Sequence, residues 1–149
     1  MPKSVQEYVV GVTEKAAKEL LAAAMETPED RRDWSPLDKG RTVIDQVAEC
    51  ALLNGYTAQV LEDRNWAPTA FANYPEEKAA IVTDWGTVSA ALEAGLPRLT
   101  AAIRGLSDED LELVLETPFG PMSMEQIASY PVWNMTYHQG QVTYVGILN

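Results

Sequence analysis

The stretch KGRTVIDQVAECALLNGYTAQVLEDR, residues 39 to 64, decides the fold of this chain. Its apolar residues recur at helical spacing, so the pattern predicts a long helix from about Lys39 to Arg64. They form two rows rather than one. The first row contains Val43, Val47, Ala51 and Ala58, and the second contains Leu52, Leu53, Tyr56 and Val60. A helix that is apolar around so much of its circumference is typical of a central position or of a subunit interface.

Three further segments have the spacing of amphipathic helices. The first begins with a capping box at Ser4 and ends near Glu26. The next begins near Pro75, and the last runs from Ser123 to about Leu148. The apolar row that follows Pro75 consists of Ile81, Trp85, Val88, Leu92, Leu96, Leu99 and Ile103. Each of these segments is long enough to cross a small domain.

A different pattern precedes the last helix. Leu111, Leu113 and Leu115 alternate with other residues in the way that is typical of a short strand, and TPFGP at 117 to 121 has turn chemistry. We therefore expect a short hairpin-like excursion before the last helix. Four long helices in 149 residues predict an all-α fold, a four-helix bundle in which residues 1–149 form a single domain.

The composition disfavours several classes of partner. The formal net charge of −11 argues against binding to nucleic acid or to anionic membrane surfaces. No apolar run is long enough to span a bilayer, and the N-terminus lacks the apolar core of a signal peptide. The single cysteine, Cys50, cannot form an intramolecular disulfide, and its apolar helix favours an inert core thiol. We expect a cytoplasmic protein that binds neither nucleic acid nor a membrane.

Three polar residues interrupt the apolar helix faces. Glu49 lies within the second row of the second helix, and Asn134 and His138 lie four residues apart in the last. That spacing places the latter two on one helical face. A carboxylate, an amide oxygen and an imidazole can each bind a divalent cation. The alternative is a buried network in which the three side chains bond to one another. Both interpretations are open from the residues alone.

Aromatic side chains cluster near these polar residues in the sequence. Four belong to the last helix and two to predicted loops that could cover a bundle end: Tyr130, Trp133, Tyr137 and Tyr144, with Trp34 and Trp66. Such groups can line a small-molecule pocket with a few polar anchors. The same spacing is also typical of plain core and of a dimer interface.

Two motifs stand out, GRTVIDQVAE at 40 to 49 and YHQGQV at 137 to 142, and WSP at 34 to 36 and PFG at 118 to 120 accompany them. In this order they resemble the DinB-like superfamily. The resemblance covers nearly the whole chain. It implies an up-down-down-up four-helix bundle and a homodimer. The family includes thiol-dependent transferases and isomerases, which implies a small-molecule or thiol substrate.

The resemblance also implies a divalent metal, nickel or zinc, held by three histidines. One comes from the second helix and two come from an HxxxH motif on the last. Carried over, these positions fall on Glu49, Asn134 and His138, and only His138 matches in residue type. A shift of one residue in the second helix would place Cys50 there instead. The family thus implies a metal-dependent enzyme with an altered ligand set. The alternative is a non-catalytic dimeric bundle in which a buried hydrogen-bond network serves small-molecule binding or assembly.

Overall fold

The computed structural model describes residues 3 to 148 and confirms an all-α bundle with a small hairpin. Its elements are α1 (Val5–Glu26), α2 (Val43–Asp63), α3 (Tyr74–Ile81), α4 (Trp85–Arg104), α5 (Asp108–Glu112), β1 (Val114–Thr117), β2 (Gly120–Ser123) and α6 (Met124–Leu148). Two 3₁₀ turns, Glu29–Arg31 and Pro36–Asp38, connect α1 to α2. None of the described helices is long and apolar enough to cross a membrane.

Side-chain caps set where the long helices begin. Ser4, Thr42, Asp84 and Ser123 each accept a hydrogen bond from the backbone N–H three residues further on. The cap at Asp84 corrects the prediction of one continuous helix after Pro75. It starts a new helix, so the predicted apolar row is divided between α3 and α4.

The hairpin lies where the turn chemistry predicted it, with its first strand displaced toward the C-terminus. Leu111, predicted in the strand, lies in the short helix α5, because a capping box at Ser107 stabilises a helical turn there. The antiparallel register pairs Thr117 with Gly120, and Gly120 has a φ of 95°, which favours glycine. The excursion before the last helix is therefore confirmed.

The four long helices, α1, α2, α4 and α6, stand at the corners of a square. Helix α6 lies between α1 and α2, and α4 lies between them on the opposite side. Helices α1 and α2 therefore face each other across a diagonal, as do α4 and α6. The 21 residues from 64 to 84 carry the chain back along the bundle, so α2 and α4 are able to run in the same direction.

Contacts between helix ends fix these directions. The Gln6 amide at the start of α1 donates to the Leu106 carbonyl just after α4, at 3.0 Å, so α1 and α4 are antiparallel. Glu62 and Arg98, both near the C-terminal ends of their helices, form an ion pair between the parallel helices α2 and α4. The last turns of α6 lie against Thr27 at the end of α1. The order is up-down-down-up.

Helix α2 occupies the central position that its sequence allowed. Its fully buried residues contribute to both hydrophobic clusters of the core, Val43 and Val47 to one and Ala58 and Leu61 to the other. Burial of such side chains supplies the main favourable free energy of folding. The first apolar row of α2 is buried within the chain, whereas Leu52, Leu53 and Tyr56 of the second row are half-buried. The helix packs against α4, α6 and α3.

Candidate functional site

The ring of His138 is held between two side chains of α2. Its Nδ1 lies 2.9 Å from Oε1 of Gln46, and its Nε2 lies 3.0 Å from Oε1 of Glu49. Only 2% of His138 is exposed to solvent. The Gln46 amide nitrogen donates to the Arg41 carbonyl at 3.4 Å, which turns Oε1 of Gln46 toward the ring. Both ring nitrogens therefore face side-chain oxygens of α2, which fix the orientation of the imidazole.

Glu49 contacts Arg41 as well as His138. Its Oε2 lies 2.6 Å from Nη1 of Arg41, and the Tyr74 hydroxyl lies 3.5 Å from the same oxygen. The hydrogen bond with His138 lowers the pKa of Glu49 to about 2; the Arg41 charge acts in the same direction, against the effect of burial. The carboxyl group is ionised at neutral pH. This explains how a carboxylate lies on an otherwise apolar helix row.

An ion-pair network extends from this carboxylate to α3. Arg41 also contacts Asp45 with an Nε–Oδ2 distance of 2.5 Å, and Lys78 of α3 lies 2.8 Å from the other oxygen of Asp45. Burial acts to raise the pKa of Asp45, but the hydrogen bonds and charges of Lys78 and Arg41 together outweigh it and lower that pKa. The network therefore fastens α3 against α2 beside Glu49.

Asn134 lies on the inner face of α6, as the spacing predicted, and its amide is directed to a different partner. Its Nδ2 donates to Sγ of Cys50 at 3.6 Å. Burial raises the pKa of the Cys50 thiol above its usual range, and the Glu49 charge adds to the effect. The thiol is thus not a nucleophile at neutral pH. The structure brings Glu49 and His138 into contact, adds Gln46, and places Asn134 beside Cys50.

The donor set in this arrangement does not fit a resident transition metal. The Nε2 atom of His138 and Oε1 of Glu49 bond to each other, and the Arg41 guanidinium contacts Oε2 of Glu49. The positive charge of the Arg41 guanidinium would repel a metal cation bound to the Glu49 carboxylate. Within residues 3 to 148, no three or more His, Cys, Asp or Glu side chains are grouped so as to hold a metal. The metal site at Glu49, Asn134 and His138 stays a prediction from the family resemblance.

A cavity of about 880 Å³ opens beside Glu49. Its walls come from α2, from the segment 66 to 75, from the hairpin turn and from α6, and they include Leu53, Thr57, Trp66, Phe71, Tyr74, Phe119, Met122, Ile127, Tyr130 and Trp133. Glu49 is the one charged side chain among the described lining residues. The cavity is therefore apolar and aromatic, with a carboxylate at one position of its wall.

Loop aromatics close one side of this cavity. Phe71 stacks on Trp66 with 5.2 Å between ring centroids and meets Tyr56 edge-on at 4.5 Å, and Trp66 also contacts Phe119. Trp66 lies in the cavity wall, whereas Trp34 packs against the core cluster that contains Val43. Sequence reasoning missed Phe71 and Phe119, because loop residues lack the periodicity that identifies a buried face.

Comparisons with known proteins agree with this fold. A family model, the DinB superfamily, matches residues 13–142, and the chain belongs to that superfamily. No curated protein sequence matches the chain. A conserved protein from Enterococcus faecalis has a similar structure, with a TM-score of 0.76 and 14% identity over 99% of this chain and 100% of that one.

Two further solved structures carry functional descriptions. YfiT from Bacillus subtilis, described as a probable metal-dependent hydrolase with an unusual four-helix bundle topology, has a TM-score of 0.71 and 21% identity over 99% of this chain and 89% of that one. A mutant of a mycothiol-dependent maleylpyruvate isomerase has a TM-score of 0.75 and 15% identity over 95% of this chain and 61% of its own. At these identities the likeness shows the fold alone.

Proposed function

We propose that this DinB-superfamily protein binds a small, largely apolar molecule in the cavity beside Glu49. The observation that carries the proposal is the cavity itself. Its volume of about 880 Å³ lies within the roughly 300–1,000 Å³ of typical ligand sites. A wall of apolar and aromatic side chains with one fixed polar group is the usual composition of such a site.

Glu49 is the group that orients the ligand. A carboxylate offers about four lone-pair positions, and here His138, Arg41 and, at 3.5 Å, the Tyr74 hydroxyl each use one. The remaining capacity can accept a hydrogen bond from a ligand N–H or O–H in the cavity. His138, Gln46 and Arg41 act through Glu49, because they hold its carboxylate in one orientation and keep it ionised. The buried network thus serves binding, in line with one of the two interpretations from the sequence.

Metal-assisted chemistry on a small-molecule or thiol substrate is the second candidate. The printed descriptions of two structural neighbours, a probable metal-dependent hydrolase and a mycothiol-dependent isomerase, support it. In this chain the 3.0 Å contact between His138 and Glu49 would supply two donors, and Asn134 would have to leave Cys50 to supply a third. The present contacts support binding without a resident metal more directly.

The binding proposal is tested with N-phenyl-1-naphthylamine, a neutral aromatic probe that becomes fluorescent in apolar sites. We expect saturable binding to the wild type and at least a tenfold loss of affinity in Leu53→Trp, because the larger side chain fills the cavity. Met25→Trp, at an exposed position near the end of α1, is the matched control and keeps wild-type affinity. Equal binding to wild type and Leu53→Trp would refute the proposal.

The metal alternative is tested on untagged protein by calorimetric titration with Zn²⁺ and Ni²⁺. Loss of a resident metal site in His138→Ala, with stoichiometric binding in the wild type, would favour the second candidate. We expect no stoichiometric binding in either protein. Circular dichroism checks that His138→Ala is folded.

A further inference from the structure

The charge of Glu49, which lines the cavity, is already matched within the protein. Nη1 of Arg41 lies 2.6 Å from Oε2 of Glu49. Arg41 and Lys78 also contact the two oxygens of Asp45, at 2.5 and 2.8 Å. Two carboxylates and two cations are therefore in direct contact, and these four side chains leave no net charge for a ligand to neutralise.

A charged ligand is at a disadvantage in this cavity. A carboxylate would lie beside Glu49 between apolar walls, where repulsion between like charges is strong. An ammonium group would be repelled by Arg41 and Lys78, and the Lys78 ammonium already lies 5.3 Å from the centroid of the Tyr74 ring. Either charge would also leave water for an apolar site, which is costly without a full set of partners. The cavity therefore favours an uncharged ligand.

Two oxygens of the cavity wall determine which polar group such a ligand needs. Oε2 of the ionised Glu49 only accepts hydrogen bonds, and the Tyr74 hydroxyl lies 3.5 Å from it. This contact is longer than an ordinary O–H···O hydrogen bond of about 2.7 Å, so it is weak and can be exchanged. Burial and the Glu49 charge raise the pKa of Tyr74, which therefore keeps its proton and is able to donate.

We propose that the ligand is an uncharged aromatic alcohol or phenol whose hydroxyl donates to Glu49 and accepts from Tyr74. This inference rests on the proposed binding function and adds the class of ligand to it. A hydroxyl is suited to the position because one atom both donates and accepts. Its bond to the carboxylate is the stronger of the two, since hydrogen bonds to an ionised group exceed neutral ones.

The remaining walls favour an aromatic framework for this ligand. Trp66 and Phe71 form a stacked pair on the loop side, with 5.2 Å between ring centroids, and Tyr130 and Trp133 form a tilted pair on α6 at 5.5 Å. Burial and the Glu49 charge raise the pKa of Tyr130, so its hydroxyl is uncharged at neutral pH. Flat rings gain from stacked and edge-to-face contacts with such side chains, beyond the area that they bury.

The first test compares four naphthalene compounds of similar size by displacement of N-phenyl-1-naphthylamine from the wild-type protein. They are 2-naphthol, 2-methylnaphthalene, 2-naphthoate and 2-naphthylmethylammonium. At neutral pH we expect 2-naphthol to bind at least tenfold more tightly than either charged compound. The methyl compound is the control for size, because its methyl group replaces the hydroxyl and makes no hydrogen bond.

The second test removes the two polar partners one at a time. Glu49→Gln should weaken the binding of 2-naphthol about tenfold, because a hydrogen bond to a charged group becomes one to a neutral group, and Tyr74→Phe should weaken it about threefold. Neither variant should change the affinity for 2-methylnaphthalene by more than about twofold. Comparing one compound between proteins cancels its own cost of leaving water. Tyr144→Phe, exposed on α6, is the matched control and keeps wild-type affinity for 2-naphthol.

The outcomes separate the class of ligand from the binding function. Equal losses of 2-naphthol and 2-methylnaphthalene in both variants, or unchanged affinity for 2-naphthol in both, would overturn the class of ligand. Tighter binding of either charged compound than of 2-naphthol would overturn it as well. In these cases N-phenyl-1-naphthylamine still binds, so the proposed function stands. If that probe does not bind to the wild type, both proposals fail.

Discussion

Replacing Glu49 with glutamine tests the central contact of the site. Glutamine keeps the size of the side chain and removes its charge, so Arg41 and His138 lose their shared carboxylate. A pKa lowered from 4.5 to about 2 corresponds to about 3 kcal/mol, at 1.36 kcal/mol for each factor of ten in the protonation constant. Because 20% of the side chain is exposed and solvent screens part of the charge, we expect Glu49→Gln to lower the free energy of unfolding by ~2 kcal/mol.

The pH dependence has a definite sign. The folded-state pKa is lowered, so the stabilisation is fully present above the unfolded value of 4.5 and is lost as the pH falls toward 2. By pH ~3.5 about 1 kcal/mol should have disappeared from the wild type and none from Glu49→Gln. The difference between the two proteins therefore shrinks from ~2 to ~1 kcal/mol between about pH 6 and pH 3.5.

Urea unfolding at matched protein concentration measures this difference. For a slope of about 2 kcal/mol/M, the midpoints should differ by about 1 M at pH ~6 and by about half of that at pH ~3.5. The control is Glu7→Gln, which removes an exposed ion pair with Arg104 and should change the free energy by less than about 0.5 kcal/mol. A wild-type advantage over Glu49→Gln that stays constant with pH would refute the assignment of the lowered pKa to this contact.

Three further predictions concern the rest of the bundle. Arg32→Met should cost about 2 kcal/mol in urea unfolding, because the buried guanidinium donates to the Thr27 carbonyl at 3.0 Å and stacks on Trp85. An unchanged free energy of unfolding in Arg32→Met would contradict this prediction. Cys50 should react with a thiol reagent only as fast as the protein opens, since the thiol is buried with a raised pKa; rapid native labelling would contradict this. Leu99→Ala should cost about 3 kcal/mol without changing probe affinity, and weakened probe binding would contradict the assigned cavity.

The fold was predictable from sequence because its information is periodic. Apolar rows, caps and turn residues located the four long helices and the hairpin, and the family resemblance supplied their directions. The boundaries that differed depend on single polar side chains. The cap at Asp84 divides one apolar row into two helices, and the capping box at Ser107 converts the residues around Leu111 from strand to helix. Such local hydrogen bonds compete with periodicity, and a pattern over many residues averages them out.

The site was predictable only in part, because spacing fixes the face of a helix and not the partner of a side chain. The four-residue interval placed Asn134 and His138 on one face, and that face does meet α2. Helices α2 and α6 are antiparallel, and neighbouring residues of α2 contact residues of α6 that lie one turn apart. Glu49 contacts His138, and Cys50 contacts Asn134. Both residues considered for the α2 position therefore face α6. Gln46 was missed because a glutamine in a helix gives no distinctive pattern.

Helix α6 shows that a helix with apolar residues on all sides is not necessarily buried on all sides. The same rule that made α2 central applies to α6, whose residues after Gln126 carry no Asp, Glu, Lys or Arg on either face. Helix α2 packs against α3, α4 and α6, and its first row is buried while most of its second row is half-buried. The inner row of α6 holds His138 against Glu49, and the outer row, with Trp133 and Tyr144, is exposed. Of these two rows, only the inner one packs against the rest of the bundle.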